Sequence, residues 1–220
     1  MIVLAVDTTT PRGSVAVVRG GELLGEVRVF HASSHSTRLL PAIDFLLSAL
    51  GLPPQQLGGY AVASGPGSFT GLRVGISTVQ GLALASRRPC LGIPALDVLA
   101  ARIEGAAEHL VAMIDAFREE VFAAVYDTQA RLRGERVLAP PACILDRLSG
   151  PAAFIGDGAE RYRRQIANGC PGALWPRRSL FLAGTLGRLA EPRLEAGEGV
   201  DPGSLTPLYL REASIRKPAS

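Results

Sequence analysis

Two stretches of this chain follow one plan, and that near-repeat constrains the fold more than any other feature. Leu4-Ala5-Val6-Asp7, Val15-Ala16-Val17 and Leu24-Gly25-Glu26 are matched in the second half by Met113-Ile114-Asp115, Ala123-Ala124-Val125 and Arg133-Gly134-Glu135. The offsets from the aspartate agree within one residue. Valine- and alanine-rich runs bounded by glycine read as strands of an antiparallel meander, at 2–6, 14–18 and about 23–30, with a hairpin at Gly20-Gly21. The first half continues with a helix over about 37–50, a strand at 60–64, a helix over about 68–85 and a short strand at 90–92. The second continues with a strand at 153–155, the turn Gly156-Asp157-Gly158 and a helix stopped by Gly169. Any meander can end a strand on Asp and turn on Gly, so the spacing alone leaves duplication open.

The expected class is α/β, with mixed sheets carrying helices on their faces in two lobes, 1–100 and 101–220. Two copies of such a unit are the layout of the actin-like ATPase fold, in which two ribonuclease-H-like lobes face each other. Composition agrees: 220 residues that are 47% hydrophobic and 20% charged can bury a sizeable core, which excludes disorder and collagen-like structure. No window approaches ~18 consecutive apolar residues. The opening apolar run has no basic residue before it and is cut by Asp7, so no secretory signal is expected. Cys90, Cys143 and Cys170 form no CxxC pair and are odd in number, which points away from disulfides and zinc ribbons and toward a reducing cytoplasm.

Lys217 is the only lysine, three residues from the end of the sequence. Walker A ATPases, protein kinases and Schiff-base enzymes each need a lysine at a buried or loop position, so these classes are excluded. Net charge is only +3. The arginines at 161, 163, 164, 177 and 178 could meet phosphate or form a solvated face.

The most distinctive stretch is GPGSFTGLRVG over 65–75, between a strand and a helix. Its glycines free the backbone to turn, and Ser68 or Thr70 can cap the helix. Free amides at that helix start could bind an anion, or the segment could be a tight capped turn. Gly71, Gly75 and Thr78 leave one helical face nearly bare, where another helix could approach closely. On the preceding helix Leu39, Leu40, Ile43, Leu46, Leu47 and Leu50 form one stripe and Ala42, Phe45 and Ala49 a second. At ~100° per residue this arc is wider than one sheet covers, so a further partner is expected. His31 and His35 have the spacing of a helical metal pair but sit across a strand-to-helix loop, where such pairs are more often incidental. No Gly-x-Ser-x-Gly elbow supports a hydrolase triad. Glu119-Glu120 read as adjacent strand residues on opposite faces.

Ala5-Val6-Asp7-Thr8-Thr9, His35-Ser36-Thr37-Arg38-Leu39-Leu40-Pro41, GPGSFTGLRVG, Met113-Ile114-Asp115-Ala116 and Pro207-Leu208-Tyr209-Leu210-Arg211 together resemble the TsaB (YeaZ) family, with similarity over the whole chain. The resemblance implies the actin-like fold and a cytoplasmic, non-catalytic companion subunit. In this reading it holds the transferase TsaD and helps recruit the ATPase TsaE in forming threonylcarbamoyladenosine at position 37 of tRNAs that read codons beginning with A. tRNA is then reached through the complex, no membrane is involved, and the isolated chain is a homodimer. It carries no cofactor of its own, with an ATP or ADP at the subunit interface left open. The implied partner interface comprises His35, Leu39, Leu40, Ile43, Leu46, Leu47, Leu50, Phe69, Gly71, Leu72, Arg73, Gly75 and Ile76. The transferase paralogue carries a His-x-x-x-His metal motif after the strand that follows the glycine-rich helix. Here that place reads Gly92-Ile93-Pro94-Ala95-Leu96-Asp97-Val98-Leu99, without histidine. The competing readings are a metallopeptidase, since such proteins were long labelled glycoproteases, and a small-molecule kinase of the same fold.

Overall fold

The computed structural model describes residues 1–30 and 35–211. The first lobe is built from β1 (Ile2–Asp7), β2 (Arg12–Arg19), β3 (Glu22–Phe30), α1 (Leu39–Ala49), β4 (Gly59–Ala63), α2 (Phe69–Ser86), β5 (Cys90–Ile93) and α3 (Ala95–Ala101). The remaining elements are β6 (His109–Asp115), β7 (Val121–Tyr126), β8 (Leu132–Ala139), α4 (Pro141–Leu145), β9 (Ala152–Ile155), α5 (Asp157–Arg161), α6 (Arg163–Gly169) and α7 (Ala183–Glu195). Two mixed sheets result, ordered β3-β2-β1-β4-β5 and β8-β7-β6-β9. In each the meander is antiparallel and the next strand lies parallel to the meander's first. β1 is apolar from Ile2 to Val6 because both of its faces are covered, the sequence pattern of a central strand.

The elements stack in layers. On one face of the first sheet, Leu4, Val6, Val15, Val17, Tyr60 and Val62 meet α1 and α2. The opposite face shares a continuous core with α3, α7 and the inner face of the second sheet, through Ala5, Ala61, Leu96, Leu186, Leu110 and Ala112. Val111, Met113, Val121 and Ala123 face outward onto α4, α5 and α6. The chain therefore crosses back: α7, which falls within the expected 101–220 lobe, packs on β1 and β2. A Cβ on Gly187 would lie 2.6 Å from the Val18 Cγ2. The Ala183 amide donates to Ser14 Oγ at 3.1 Å, and the Gly20 and Gly21 amides donate to the buried Glu191 at 2.6 and 2.7 Å.

Three local expectations are refined. The first helix opens with a 3-10 turn at His35–Thr37 before α1 begins. The helix ending at Gly169 is two helices, broken at Tyr162. Phe117, Arg118 and Glu119 form a left-handed turn between β6 and β7, with φ of 59, 52 and 63°, so Glu119-Glu120 are not adjacent strand residues and the opposite-face argument does not apply to them.

The glycine face of α2 is occupied from within the chain, which corrects its assignment as a bare face for a partner helix. A Cβ on Gly71 would stand 2.1 Å from the Thr8 carbonyl oxygen, and one on Gly75 2.3 Å from Thr8 Oγ1. Thr8 Oγ1 donates to the Gly71 carbonyl at 2.7 Å. The glycines let the loop after β1 lie directly on the helix.

Gly71→Ala is expected to lower stability by about 1–3 kcal/mol through overpacking against backbone, or roughly 2–12 °C in melting temperature. Gly81 lies in the same helix with nothing within 4 Å of its would-be Cβ. Gly81→Ala should therefore be neutral, or stabilising by up to about 1 kcal/mol. Thermal melts that show equal effects for the two variants contradict the close-approach account.

Candidate functional site

α1 and α2 carry large exposed apolar side chains on the outside of the first sheet. α1 buries Leu39, Ile43, Leu46 and Leu47, and α2 buries Gly71, Leu72, Gly75, Ile76, Val79 and Ala83. Of the residues expected to touch a partner, Leu39, Ile43, Leu46, Leu47, Gly71, Leu72, Gly75 and Ile76 are thus core of this chain. Leu50 is half-buried, and Leu40 and Arg73 are exposed. The outer face belongs instead to Leu40 (54% exposed), Phe45 (66%) and Leu84 (69%). Phe45 sits in the second stripe of α1 and Leu84 at the far end of α2, so neither followed from the glycine spacing. That a wide apolar arc leaves a hydrophobic remainder was the signal for Phe45.

At the start of α2, Phe69 is half-buried. It lies 5.1 Å from the Tyr209 ring, between centroids, and the Arg73 guanidinium sits 4.0 Å over it. Arg73 Nε also donates to Tyr209 Oη at 3.3 Å. The C-terminal strap is held here and then crosses to the other lobe. The Leu208 amide donates to the Ser64 carbonyl at 2.7 Å, while Arg211 donates to the Ala116 carbonyl at 2.8 Å and pairs with Glu120. Arg12 and Glu160 form a second bridge between lobes at 3.0 Å.

Two amides of the glycine-rich turn are already engaged within the chain. The Ser68 amide donates to the Thr9 carbonyl at 2.7 Å, and the Gly71 amide to Ser68 Oγ at 3.2 Å, making Ser68 the N-cap. His35 Nε2 is spent on the Thr10 carbonyl at 2.9 Å. His31, its proposed metal partner, lies outside the described residues, as does Lys217. Among the described residues no group of three His, Cys, Asp or Glu side chains is placed to hold a metal.

Of the strand-ending aspartates of the two halves, Asp7 lies close enough to Asp157 of the other half to feel its charge, while Asp115 interacts within its own half. Asp7 is fully enclosed; its Oδ1 accepts from the Thr9 amide at 3.0 Å and from Thr9 Oγ1 at 2.7 Å. Burial raises its pKa to about 6, with Thr9 opposing and Asp157 adding to the rise. Burial likewise pushes Asp157 up, against the amide of Asp115 that donates to it at 3.1 Å. Asp115 pairs with Arg161 at 3.2 Å. The cavity beside Asp7, bounded by Thr8, Ser14, His35 and Leu39, holds only about 20 Å³, room for a single water. Asp7 has the proton affinity of a general base and no room for a substrate beside it.

A raised carboxyl pKa makes the folded state bind the proton more tightly. Asp7's contribution to stability is therefore complete below its ordinary value of 3.8 and is lost as pH rises through about 6. Ionised above that, it costs about 2–3 kcal/mol. Asp7→Asn keeps the acceptor for Thr9 and should melt higher than the parent near neutral pH, the gain shrinking toward pH ~4.5. Melts across that range in which the gain is constant, or grows on acidification, contradict the assignment.

The family model described as TsaD, tRNA N6-adenosine threonylcarbamoyltransferase, matches residues 29–155, more than half of the chain. The Escherichia coli tRNA threonylcarbamoyladenosine biosynthesis protein TsaB is 34% identical over 167 residues, 72% of each chain. The crystal structure of YeaZ from Pseudomonas aeruginosa superposes with a TM-score of 0.80 at 32% identity, covering 95% of this chain and 99% of that one. An activator of 2-hydroxyisocaproyl-CoA dehydratase from Clostridium difficile, 8% identical, aligns with a TM-score of 0.54 over 90% of this chain and 97% of its own. That likeness concerns the fold alone, and it is the actin-like ATPase fold. The matched model is described for the transferase, while Escherichia coli TsaB and Pseudomonas aeruginosa YeaZ each match this chain at more than 30% identity across most of their own length, and the chain belongs to the TsaB (YeaZ) family.

Proposed function

We propose that this chain acts in threonylcarbamoyladenosine biosynthesis on tRNA as a docking subunit that binds a TsaD-type transferase through the outer face of α1 and α2. The observation that carries this reading is the 34% identity to Escherichia coli TsaB across 72% of both chains. The exposed Leu40, Phe45 and Leu84 support it, since these large apolar side chains stand in water on the two helices that cover one face of the first sheet. A partner of the same fold offers a matching pair of helices, and a second copy of this chain is the occupant when the partner is absent. In the finer form, the modified base is position 37 of tRNAs that read codons beginning with A, and the assembled pair recruits TsaE. An ATP or ADP used by the complex belongs to the junction between subunits. The cleft between the lobes is bridged by Arg12–Glu160 and by the strap at Arg211. No helix among the described residues is long and apolar enough to cross a membrane.

Phe45→Asp should weaken transferase binding by about 2–4 kcal/mol, roughly thirty- to a thousand-fold in Kd. It should leave the melting temperature near that of the parent, because the ring is exposed. In cells lacking the chain, threonylcarbamoyladenosine in digested tRNA should fall, returning with the parent and not with the variant. Undiminished modification in those cells refutes the function, whereas full rescue by a correctly folded Phe45→Asp protein refutes the surface.

A further inference from the structure

A pocket of about 420 Å³ opens on the second lobe beside Gly156, lined by Glu160, Arg163, Trp175, Arg177 and Arg178. Its volume is in the range of small-ligand sites, larger than a single inorganic ion requires. Two of the guanidiniums, those of Arg163 and Arg178, are held there by groups that do not neutralise them. Arg163 lies over the Trp175 ring at 4.5 Å, and Phe154 stacks on the same ring at 5.5 Å, which fixes the indole. Arg178 Nε donates to the Arg102 carbonyl at 3.1 Å and its Nη1 to the Arg177 carbonyl at 3.4 Å. Glu160, the one carboxylate of the lining, is already paired with Arg12. None of Arg163, Arg177 and Arg178 has a carboxylate partner among the described residues.

Three like charges collected around one hollow repel one another, a cost that surface arginines ordinarily avoid by pairing or dispersing. An aromatic face restrains the guanidinium of Arg163 and backbone carbonyls that of Arg178, neither neutralising its charge, the arrangement that suits phosphate oxygens. Exposed Arg164, on the same helix as Arg163, continues the positive surface beyond the pocket. We propose that this pocket binds the phosphodiester backbone of an RNA strand, one nucleotide unit seated between Arg163, Arg177 and Arg178. The anion site follows from the arginines; the choice of RNA over a free nucleotide rests on the tRNA reading above.

Trp175 is the only tryptophan, so indole emission of the full chain reports this pocket alone. Titration with an unmodified tRNA transcript should change Trp175 emission saturably, with affinity falling steeply as salt rises. Arg177→Ala with Arg178→Ala should weaken tRNA binding about 10- to 100-fold and reduce the log–log salt slope by about 2, at unchanged melting temperature. ATP, ADP and pyrophosphate form the second arm. Saturation by a nucleotide or pyrophosphate with no response to tRNA overturns the RNA assignment. Response to none of them, or a folded double variant that binds tRNA like the parent, overturns the site. Cellular tRNA modification is read separately: if it depends on the chain while the double variant binds tRNA normally, the pocket is wrong and the function stands. If it does not depend on the chain, the function is wrong whatever the titration shows.

Discussion

The contact between Thr8 and the glycine face of α2 sets the geometry of the first lobe. With 2.1 Å between the Thr8 carbonyl and the place of a Gly71 Cβ, the loop after β1 and the helix after β4 meet backbone to backbone. The same turn is fixed by the Ser68 amide on the Thr9 carbonyl and by the Ala95 amide on the Gly65 carbonyl at 2.7 Å, so the ends of β1, β4 and β5 are tied at one point. Once α2 is seated in this way, Leu72, Ile76 and Val79 are committed to the core and the opposite side of the helix, with Leu84, is committed to the outside. What the lobe offers a partner is decided by what it has already used internally.

The cleft between the lobes shows the same economy. In an actin-like fold the strand-ending aspartates of the two halves sit where chemistry could occur, yet here Asp7 is enclosed with about 20 Å³ beside it. The lobes are joined by Arg12–Glu160, by the strap from Ser64 to Glu120, and by α7, which comes late in the chain and packs on the first sheet. These contacts tie the two halves together at three separate places. The basic pocket at Trp175 and the apolar face at Phe45 lie on different lobes and differ in chemistry, so a protein partner and a polyanion need not compete for one surface.

Much of this was legible beforehand. The two meanders, their aspartates, the Gly20-Gly21 hairpin and the Ser68 cap are local signals, carried by strand periodicity and turn chemistry. Gly71 and Gly75 announced a close approach, but a missing side chain does not say whose backbone fills the gap, and it proved to be Thr8 of the same chain. The return of α7 was hidden because its neighbours in space, Ser14, Val18 and Glu26, are far from it in sequence; Pro192 and its glycines also weaken its helical signature. In α1 the leucine stripe drew attention to what is buried, while Phe45 is what the helix leaves exposed. The pocket depends on Arg163 meeting Trp175, twelve residues along and across a loop, which charge counting alone does not reveal.

The central claim is that the inner face of α2 is spent within the chain and that the outer face of α1 and α2 carries the partner. Hydroxyl-radical footprinting read by mass spectrometry, on the dilute chain and on its complex with a TsaD-type transferase, tests both halves together. Phe45, Leu40 and Leu84 should be oxidised in the free chain and protected in the complex, with Leu72 and Ile76 unreactive in both. Undiminished oxidation of Phe45 and Leu84 in the complex, or ready oxidation of Leu72 and Ile76 in the free chain, would contradict it.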